Sequence, residues 1–296
     1  MEKTRIAIIG TGNIGTDLLV KILHSPDLEC TKFIGRNYES KGMQFARQFD
    51  VELSDKSIDA IIEDPNCCDV VIDATSAAVH KVNAPILKKL GKYVIDMTPS
   101  QIGEMCVPAI NGEECLNFEN INLITCGGQA IVPIAYAISH VADVKYHEMV
   151  SVISSKSAGP GTRANIDEFT QTTKKAILKF SKVPEAKAII TLNPAEPPIK
   201  MHNTLYSIVN NPDMDKICIS VEAMVEKLRV YVPGYELLVS PTLEKNRIVT
   251  MITVKGRGDY LPSYSGNLDI INCAAIRMAE MYHKKHKDGR KENTRI

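Results

Sequence analysis

Arg5-Ile6-Ala7-Ile8-Ile9-Gly10-Thr11-Gly12-Asn13-Ile14-Gly15 decides the fold of the first half of this chain. A short apolar run ends in a GxGxxG turn, and Ile14, Leu18, Leu19, Ile22 and Leu23 then recur at helical spacing until His24-Ser25-Pro26. A strand, a glycine turn and an amphipathic helix in that order form a dinucleotide-binding fingerprint. Gly10 permits the tight turn, Gly12 lets backbone approach a pyrophosphate, and Gly15 lets the helix pack on the strand. The N–H groups and dipole of the helix start favour phosphate. Gly10, Thr11, Gly12, Asn13, Ile14 and Gly15 are therefore candidate cofactor-binding residues.

Working outward, the alternation continues. Cys30 to Ile34, Val70 to Ala74, Tyr93 to Asp96 and Ile121 to Thr125 read as strands, while Lys41 to Phe49 and Ala84 to Leu90 read as helices. Strands alternating with helices predict an α/β, Rossmann-like, doubly wound parallel sheet. The carboxylate that usually follows the second strand to hold the adenosine ribose is missing, and Phe33-Ile34-Gly35-Arg36-Asn37 stands there instead. NAD is the expected cofactor. Arg36 is a candidate contact that would also admit the 2′-phosphate of NADP; stacking on adenine or facing solvent is its plainer reading.

Ile121 to Thr125 delivers the chain to Cys126-Gly127-Gly128-Gln129, and Pro133 is expected near the start of the apolar helix that follows. A thiol between a parallel strand and a helix N-terminus lies where open α/β sheets place ligands. The dipole there is expected to lower its pKa. The N–H groups of Gly127 and Gly128 are an expected oxyanion hole. Cys126 is therefore the candidate nucleophile. Cys30, Cys67, Cys68, Cys106, Cys115, Cys218 and Cys273 lack this setting and read as small packing residues.

From Val144 the texture changes. Tyr146 to Ile153, Ala188 to Leu192, Ile199 to Val209 and Ile248 to Gly256 read as strands, with a hairpin around Glu244-Lys245-Asn246. Ile166 to about Phe180, Ser220 to Val232 and Gly266 to about Tyr282 read as helices. Between Ser154 and Asn165 runs a polar glycine loop whose Asn165, with Glu168 three residues on, matches a capping box. Such a loop offers N–H donors to an anionic ligand, and a capped surface helix is its plainer reading. The expected division is a dinucleotide-binding domain of residues 1–125 with 266–296, and an α+β catalytic and dimerisation domain of residues 126–265.

Bulk properties narrow the function class. The 35 basic and 35 acidic residues of the 296 balance, so no global field favours nucleic acid or an anionic membrane. No apolar run approaches the ~20 residues a bilayer span needs. The N-terminus enters a strand without a signal-peptide pattern, so a cytoplasmic address is expected. Eight cysteines without a CxxC pair or zinc-ligand spacing point to reduced thiols and to no metal site.

Three blocks carry a specific likeness: Ile8 to Leu18, Asp73-Ala74-Thr75-Ser76-Ala77, and Thr125 to Ala130. With Ser154 to Phe169, Asn193 to Pro198 and Tyr260 to Asp269, they resemble the acylating acetaldehyde dehydrogenases. Those enzymes are the partners of 4-hydroxy-2-oxovalerate aldolase in aromatic meta-cleavage degradation, and the likeness runs nearly end to end. It implies oxidation of a short aldehyde by NAD, with coenzyme A as co-substrate, to an acyl-CoA. It also implies a homodimer that can join the aldolase. By matching position, Cys126 looks like the acyl-thioester cysteine and Asn165 like a further catalytic position. Lys156, Ser157, Ala158, Gly159, Pro160, Gly161, Thr162, Arg163, Ala164 and Asn165 look like a cofactor-touching stretch, and Asn267 like a further contact.

Two departures stand out. Where relatives carry an aspartate thought to activate the thiol, this chain has His202-Asn203-Thr204-Leu205-Tyr206, and Asn203 cannot accept a proton as a base. The helix dipole, His202, or a slower reaction are the alternatives. The connection from Pro241 to Arg247 is also shorter than in relatives, which bears on the aldolase complex. A phosphorylating semialdehyde dehydrogenase shares the general plan but needs a histidine base, and His140 and His147 lack a motif for it. A cofactor-binding partner subunit that has lost catalysis is the rival from another class.

Overall fold

The computed structural model describes residues 3–159, 162–163 and 166–293. The chain separates into two compact units, one of residues 1–123 with 274–296 and one of residues 124–273.

In the first unit β1 (Thr4–Ile9), β2 (Leu28–Ile34), β3 (Glu52–Ser54), β4 (Val70–Asp73), β5 (Tyr93–Asp96), β6 (Glu104–Met105) and β7 (Asn120–Asn122) form one sheet. Its order is β3-β2-β1-β4-β5-β7-β6, with every pairing parallel. A parallel sheet is covered on both faces and its strands lose their alternation, which is why Val70, Val71, Ile72 and Asp73 are all fully buried. The helices are α1 (Asn13–Leu23), α2 (Lys41–Ala46), α3 (Asp59–Glu63), α4 (Ala77–Lys89) and α5 (Pro108–Cys115). Leu18, Leu19 and Ile22 of α1 are sealed from solvent, as their spacing predicts. Ala7, Ile9, Ile34, Ile61, Val71, Leu87 and Val94 make one core cluster. The strand order runs outward from β1 in both directions, so β1 and β4 flank the switch point where such sheets bind ligands.

The second unit holds β8 (Asp143–Ser154), β9 (Glu185–Asn193), β10 (Met201–Asn210), β11 (Tyr235–Glu244) and β12 (Arg247–Val254) in the order β11-β12-β10-β8-β9. All its pairings are antiparallel except β8 with β9. The helices α6 (Cys126–Val141), α7 (Ile166–Ser181) and α8 (Met214–Arg229) pack on one face. Burial alternates accordingly: His147, Met149, Ser151 and Ile153 of β8 are buried, and Tyr146, Glu148, Val150 and Val152 are only half-buried. The last helix, α9, runs Gly266–Asn293. The two-residue Lys245–Asn246 turn joins β11 to β12 as the sequence predicts.

Several boundaries differ from expectation, each for a local reason. The strand expected to reach Thr125 stops at Asn122, because Ile124 turns to φ 53° and Thr125 becomes a helix cap. The helix therefore begins at Cys126 itself, which leaves Pro133 in its interior rather than near its start. Ser76 caps α4 by accepting from the Val79 N–H, so that helix starts at Ala77 instead of Ala84, with Pro85 inside it. Asp213 accepts from the Lys216 N–H and starts α8 at Met214, ahead of the expected Ser220. β3, β6 and α3 are too short to leave a periodic signal, and α5 is interrupted by the non-helical backbone of Asn111.

Candidate active site

The glycine turn builds a cleft at the carboxyl ends of β1 and β4. Gly10 has φ +113°, and a Cβ there would lie 2.5 Å from the Ala74 carbonyl oxygen, so both the backbone twist and the close approach require glycine. Gly12 is the opposite case, exposed and with no atom within 4 Å of where a Cβ would stand. That open space at a helix N-terminus fits a phosphate group. Asn13 is exposed beside it, and Ile14 and Gly15 complete the first turn of α1, with Gly15 buried. The cleft encloses about 390 Å³ and is lined by Gly10, Thr11, Gly12, Arg36, Ser40, Thr75, Ser76, Val79 and Asn83, among others. Its lining contains no carboxylate and one cation, Arg36. Thr11 and Ser40 hydroxyls lie 3.1 Å apart on its rim.

The Cys126 turn is held by a directional chain of hydrogen bonds. The Gly128 N–H donates to Thr125 Oγ1 at 2.9 Å, Thr125 Oγ1 lies 2.7 Å from Thr173 Oγ1, and Thr173 donates to the Phe169 carbonyl at 2.8 Å. Since Thr125 accepts from backbone and Thr173 gives its proton to Phe169, Thr125 is the donor to Thr173. The glycines are demanded by packing. A Cβ on Gly127 would lie 2.7 Å from the Phe169 ring, and one on Gly128 would lie 2.7 Å from Ile124 Cδ1. The expected oxyanion hole is thereby corrected: the Gly128 N–H belongs to the cap, and the N–H groups directed at the sulfur are those of Cys126 and Gly127.

The expected low pKa of Cys126 is not met either. Burial pushes the thiol up to about 11, outweighing the two backbone N–H groups that favour the thiolate. Dipole and hydrogen bonds act in the expected direction, but desolvation is the larger effect. Ile124 contributes strain just upstream, being β-branched in the left-handed region.

The other sequence candidates divide into groups. Asn203 of β10 is fully buried on the helix-covered face, opposite Ser151 of β8, and neither of its amide atoms has a partner. Asn267, in the first turn of α9, is 1% exposed and likewise has both amide atoms unpartnered. Buried amides without partners are costly, and a bound polar ligand would satisfy them. His202 does not substitute for a base on that face, because strand alternation turns its side chain to the other side of the sheet from Asn203.

In the polar loop Ser157 and Ala158 are buried, and Ser157 donates to the Ser154 carbonyl. Lys156 pairs at 2.6 Å with Glu196 on the surface. Arg163 folds back, donating to the carbonyls of Ala158 and Ser155 and to Ser155 Oγ, and Thr162 precedes it in the same turn. Gly159 has open space around it. Pro160, Gly161, Ala164 and Asn165 lie outside the described residues, and with them the expected capping box. Sequence reading missed Thr125, although it is a helix cap of a preferred type, because the helix start was placed too late. It also missed Thr173, which no sequence pattern marks.

Residues 5–117 match the semialdehyde dehydrogenase NAD-binding domain, and residues 126–262 match the prokaryotic acetaldehyde dehydrogenase dimerisation domain. An NAD cleft and a dehydrogenase dimerisation module in one chain define the class, an NAD-dependent aldehyde dehydrogenase. A crystal structure of aspartate semialdehyde dehydrogenase II from Vibrio cholerae shares the fold, with a TM-score of 0.62 at 15% identity over 94% of this chain and 98% of that one. Acetaldehyde dehydrogenase of Pectobacterium atrosepticum is 53% identical over 95% of this chain and 96% of its own length. The corresponding proteins of Spirochaeta aurantia and Bacillus cereus are 50% and 49% identical, each over 95% of this chain and over 95% and 94% of their own lengths. The chain belongs to the acetaldehyde dehydrogenase family. Among the described residues no helix is long and apolar enough to cross a membrane, and no group of ligating side chains could hold a metal ion.

Proposed function

We propose that the protein oxidises a short aldehyde, acetaldehyde in type, to its acyl-CoA through a thioester on Cys126. The observation that carries this reading is Cys126 as the first residue of a capped helix, its sulfur facing the N–H groups of Cys126 and Gly127. The half-buried Cys126 thiol gives its proton to solvent, its sulfur attacks the carbonyl carbon, and those two N–H groups offset the cost of the thiolate and take the developing oxyanion. NAD, when bound, would supply the hydride acceptor for oxidation to the thioester level. Gly12 and the open helix start would hold its phosphates. In the second unit, the buried and unpartnered Asn267 amide is available to a polar ligand. The thiol of coenzyme A then attacks the thioester carbonyl carbon, the bond from that carbon to the Cys126 sulfur breaks, and the coenzyme A proton passes to the freed sulfur, so no water-activating base is required. The reaction is reversible, because the acyl transfer exchanges one thioester for another and the hydride passes between two carbon centres.

Cys126→Ser is expected to abolish NAD-dependent acyl-CoA formation while leaving NADH affinity unchanged. Near-normal turnover in that variant would remove the mechanism. Replacing coenzyme A by inorganic phosphate tests the acceptor, with activity expected only for coenzyme A.

The dimer belongs to the same reading. The face of the second sheet not covered by helices presents Val150, Val152, Tyr206, Met251 and Val239 as half-buried or exposed side chains. An apolar sheet face in a domain matching a dimerisation module is best covered by the same face of a second copy.

A further inference from the structure

Behind the cofactor cleft lies a cluster of charge that the proposed reaction does not use. His80 of α4 is fully buried, as are Asp73 at the end of β4 and Asp96 at the end of β5. The imidazole Nδ1 is 2.9 Å from Asp73 Oδ2, and its Nε2 is 3.4 Å from Asp96 Oδ2. Asp73 and Asp96 are the titratable groups that act on this ring, and β7 adds the Asn120 amide at 3.1 Å from Nε2. Asn120 Oδ1 is buried without a partner, so turning that amide over gives a protonated Nε2 a second acceptor.

The same carboxylates fix the cleft. Asp73 accepts from the Thr75 N–H, the Thr75 hydroxyl and the Asn83 amide, and Thr75 and Asn83 both line the cleft. Ala74, between Asp73 and Thr75, is the residue against which Gly10 packs. Asp96 in turn accepts from Ser100, Asn122 and the Thr98 N–H. The imidazole is thus the bridge between two well-anchored carboxylates, one of which shapes the wall of the dinucleotide site.

We infer that His80 is a positioning residue for the cofactor: a buried imidazolium, clamped by Asp73 and Asp96, that holds the Thr75–Asn83 wall and offsets negative charge behind the site of a dianionic diphosphate. Burial alone would pull the ring's pKa down, but the Asp73 bond and the two carboxylate charges outweigh it and raise it. Removing the proton aims the Nε2 lone pair at Asp96 and leaves both carboxylates without a countercharge. Each effect weakens dinucleotide binding. Protonation of His80 and cofactor binding must then favour each other reciprocally.

The inference rests on the cleft being the NAD site, and the test separates the two. NADH affinity is measured by its fluorescence from pH 6 to 10 in the full-length enzyme and in His80→Gln, which keeps a donor and an acceptor but no titratable charge. The native enzyme is expected to lose affinity as pH rises through the His80 pKa, and His80→Gln is expected to bind weakly at all pH values with that limb gone. A tenfold loss across the limb corresponds to an increase of about one in the His80 pKa on NADH binding. That increase is read directly by nitrogen-15 histidine NMR of the native enzyme, which needs no variant to fold. An unchanged His80 titration on saturation with NADH, or a His80→Gln profile like the native one, overturns the inference. Gly12→Asp serves as control for the cleft: if it binds NADH normally, the cleft assignment itself falls.

Discussion

At Cys126 two opposing effects meet, and their balance predicts how the free enzyme reacts. Desolvation holds the thiol at about 11 although two N–H groups favour the thiolate. Cys67, by contrast, is lowered to about 7, chiefly by a hydrogen bond from Cys68. Alkylation by iodoacetamide at pH 7, followed by peptide mass mapping, should therefore modify Cys67 before Cys126 in the free chain. Faster labelling of Cys126 would show that the thiol is activated without substrate. Gly12→Asp tests the cleft at the same scale. Asp is a good helix cap at a position with open space, so folding is retained, while its charge repels phosphate and NADH affinity falls at least tenfold. Arg36 is the cation of a cleft lined by no carboxylate. Arg36→Ala is expected to reduce NADP affinity severalfold more than NAD affinity, measured by competition with NADH. The Cys126 turn and the glycine turn were legible in the sequence because each sits in a contiguous motif. The Thr125–Thr173 bond and the Asp73–His80–Asp96 bridge were not, since their members meet only through the fold.

At the scale of elements, local chemistry decided what could be read. α1 and the β1 turn announce themselves by periodicity and glycine. The start of α6 was misplaced because Ile124, a residue with no turn propensity, adopts the left-handed conformation that ends the strand approach. From outside the segment the Phe169 ring packs against Gly127, and no local pattern in the sequence marks that contact. Between α6, β8 and β10, His147 is fully buried, bonded to Ser139 at 2.9 Å and Ser207 at 2.8 Å. Burial lowers its pKa to about 4. A depressed histidine pKa means that the unfolded chain takes up a proton first as pH falls. The contribution to stability is therefore complete above about 6.5, the ordinary histidine value, and is lost between there and about 4. The loss approaches roughly 3 kcal/mol. Urea unfolding at pH 7 and pH 5 should show a smaller drop in His147→Gln than in the native protein. Equal drops would mean that the ring is protonated in the folded state.

For the whole molecule, the parallel order of the first sheet followed from the alternation of apolar strands and helices, and its edge strands β3 and β6 were too short to see. The second sheet was legible as strands but not as a sheet with one bare face, because half-buried residues such as Val150, Tyr206 and Met251 read as ordinary strand positions. Val150→Lys places a charge on that face and should shift the protein from dimer to monomer in sedimentation equilibrium, with NADH binding retained. A native protein that is itself monomeric would contradict the dimer assignment. The central claim, however, is chemical. The most direct measurement is intact and peptide mass spectrometry after mixing the enzyme with acetaldehyde and NAD in the absence of coenzyme A. One acetyl mass on the peptide holding Cys126, discharged on adding coenzyme A, is the predicted result. Acetylation elsewhere, or none while NADH is formed, would contradict it.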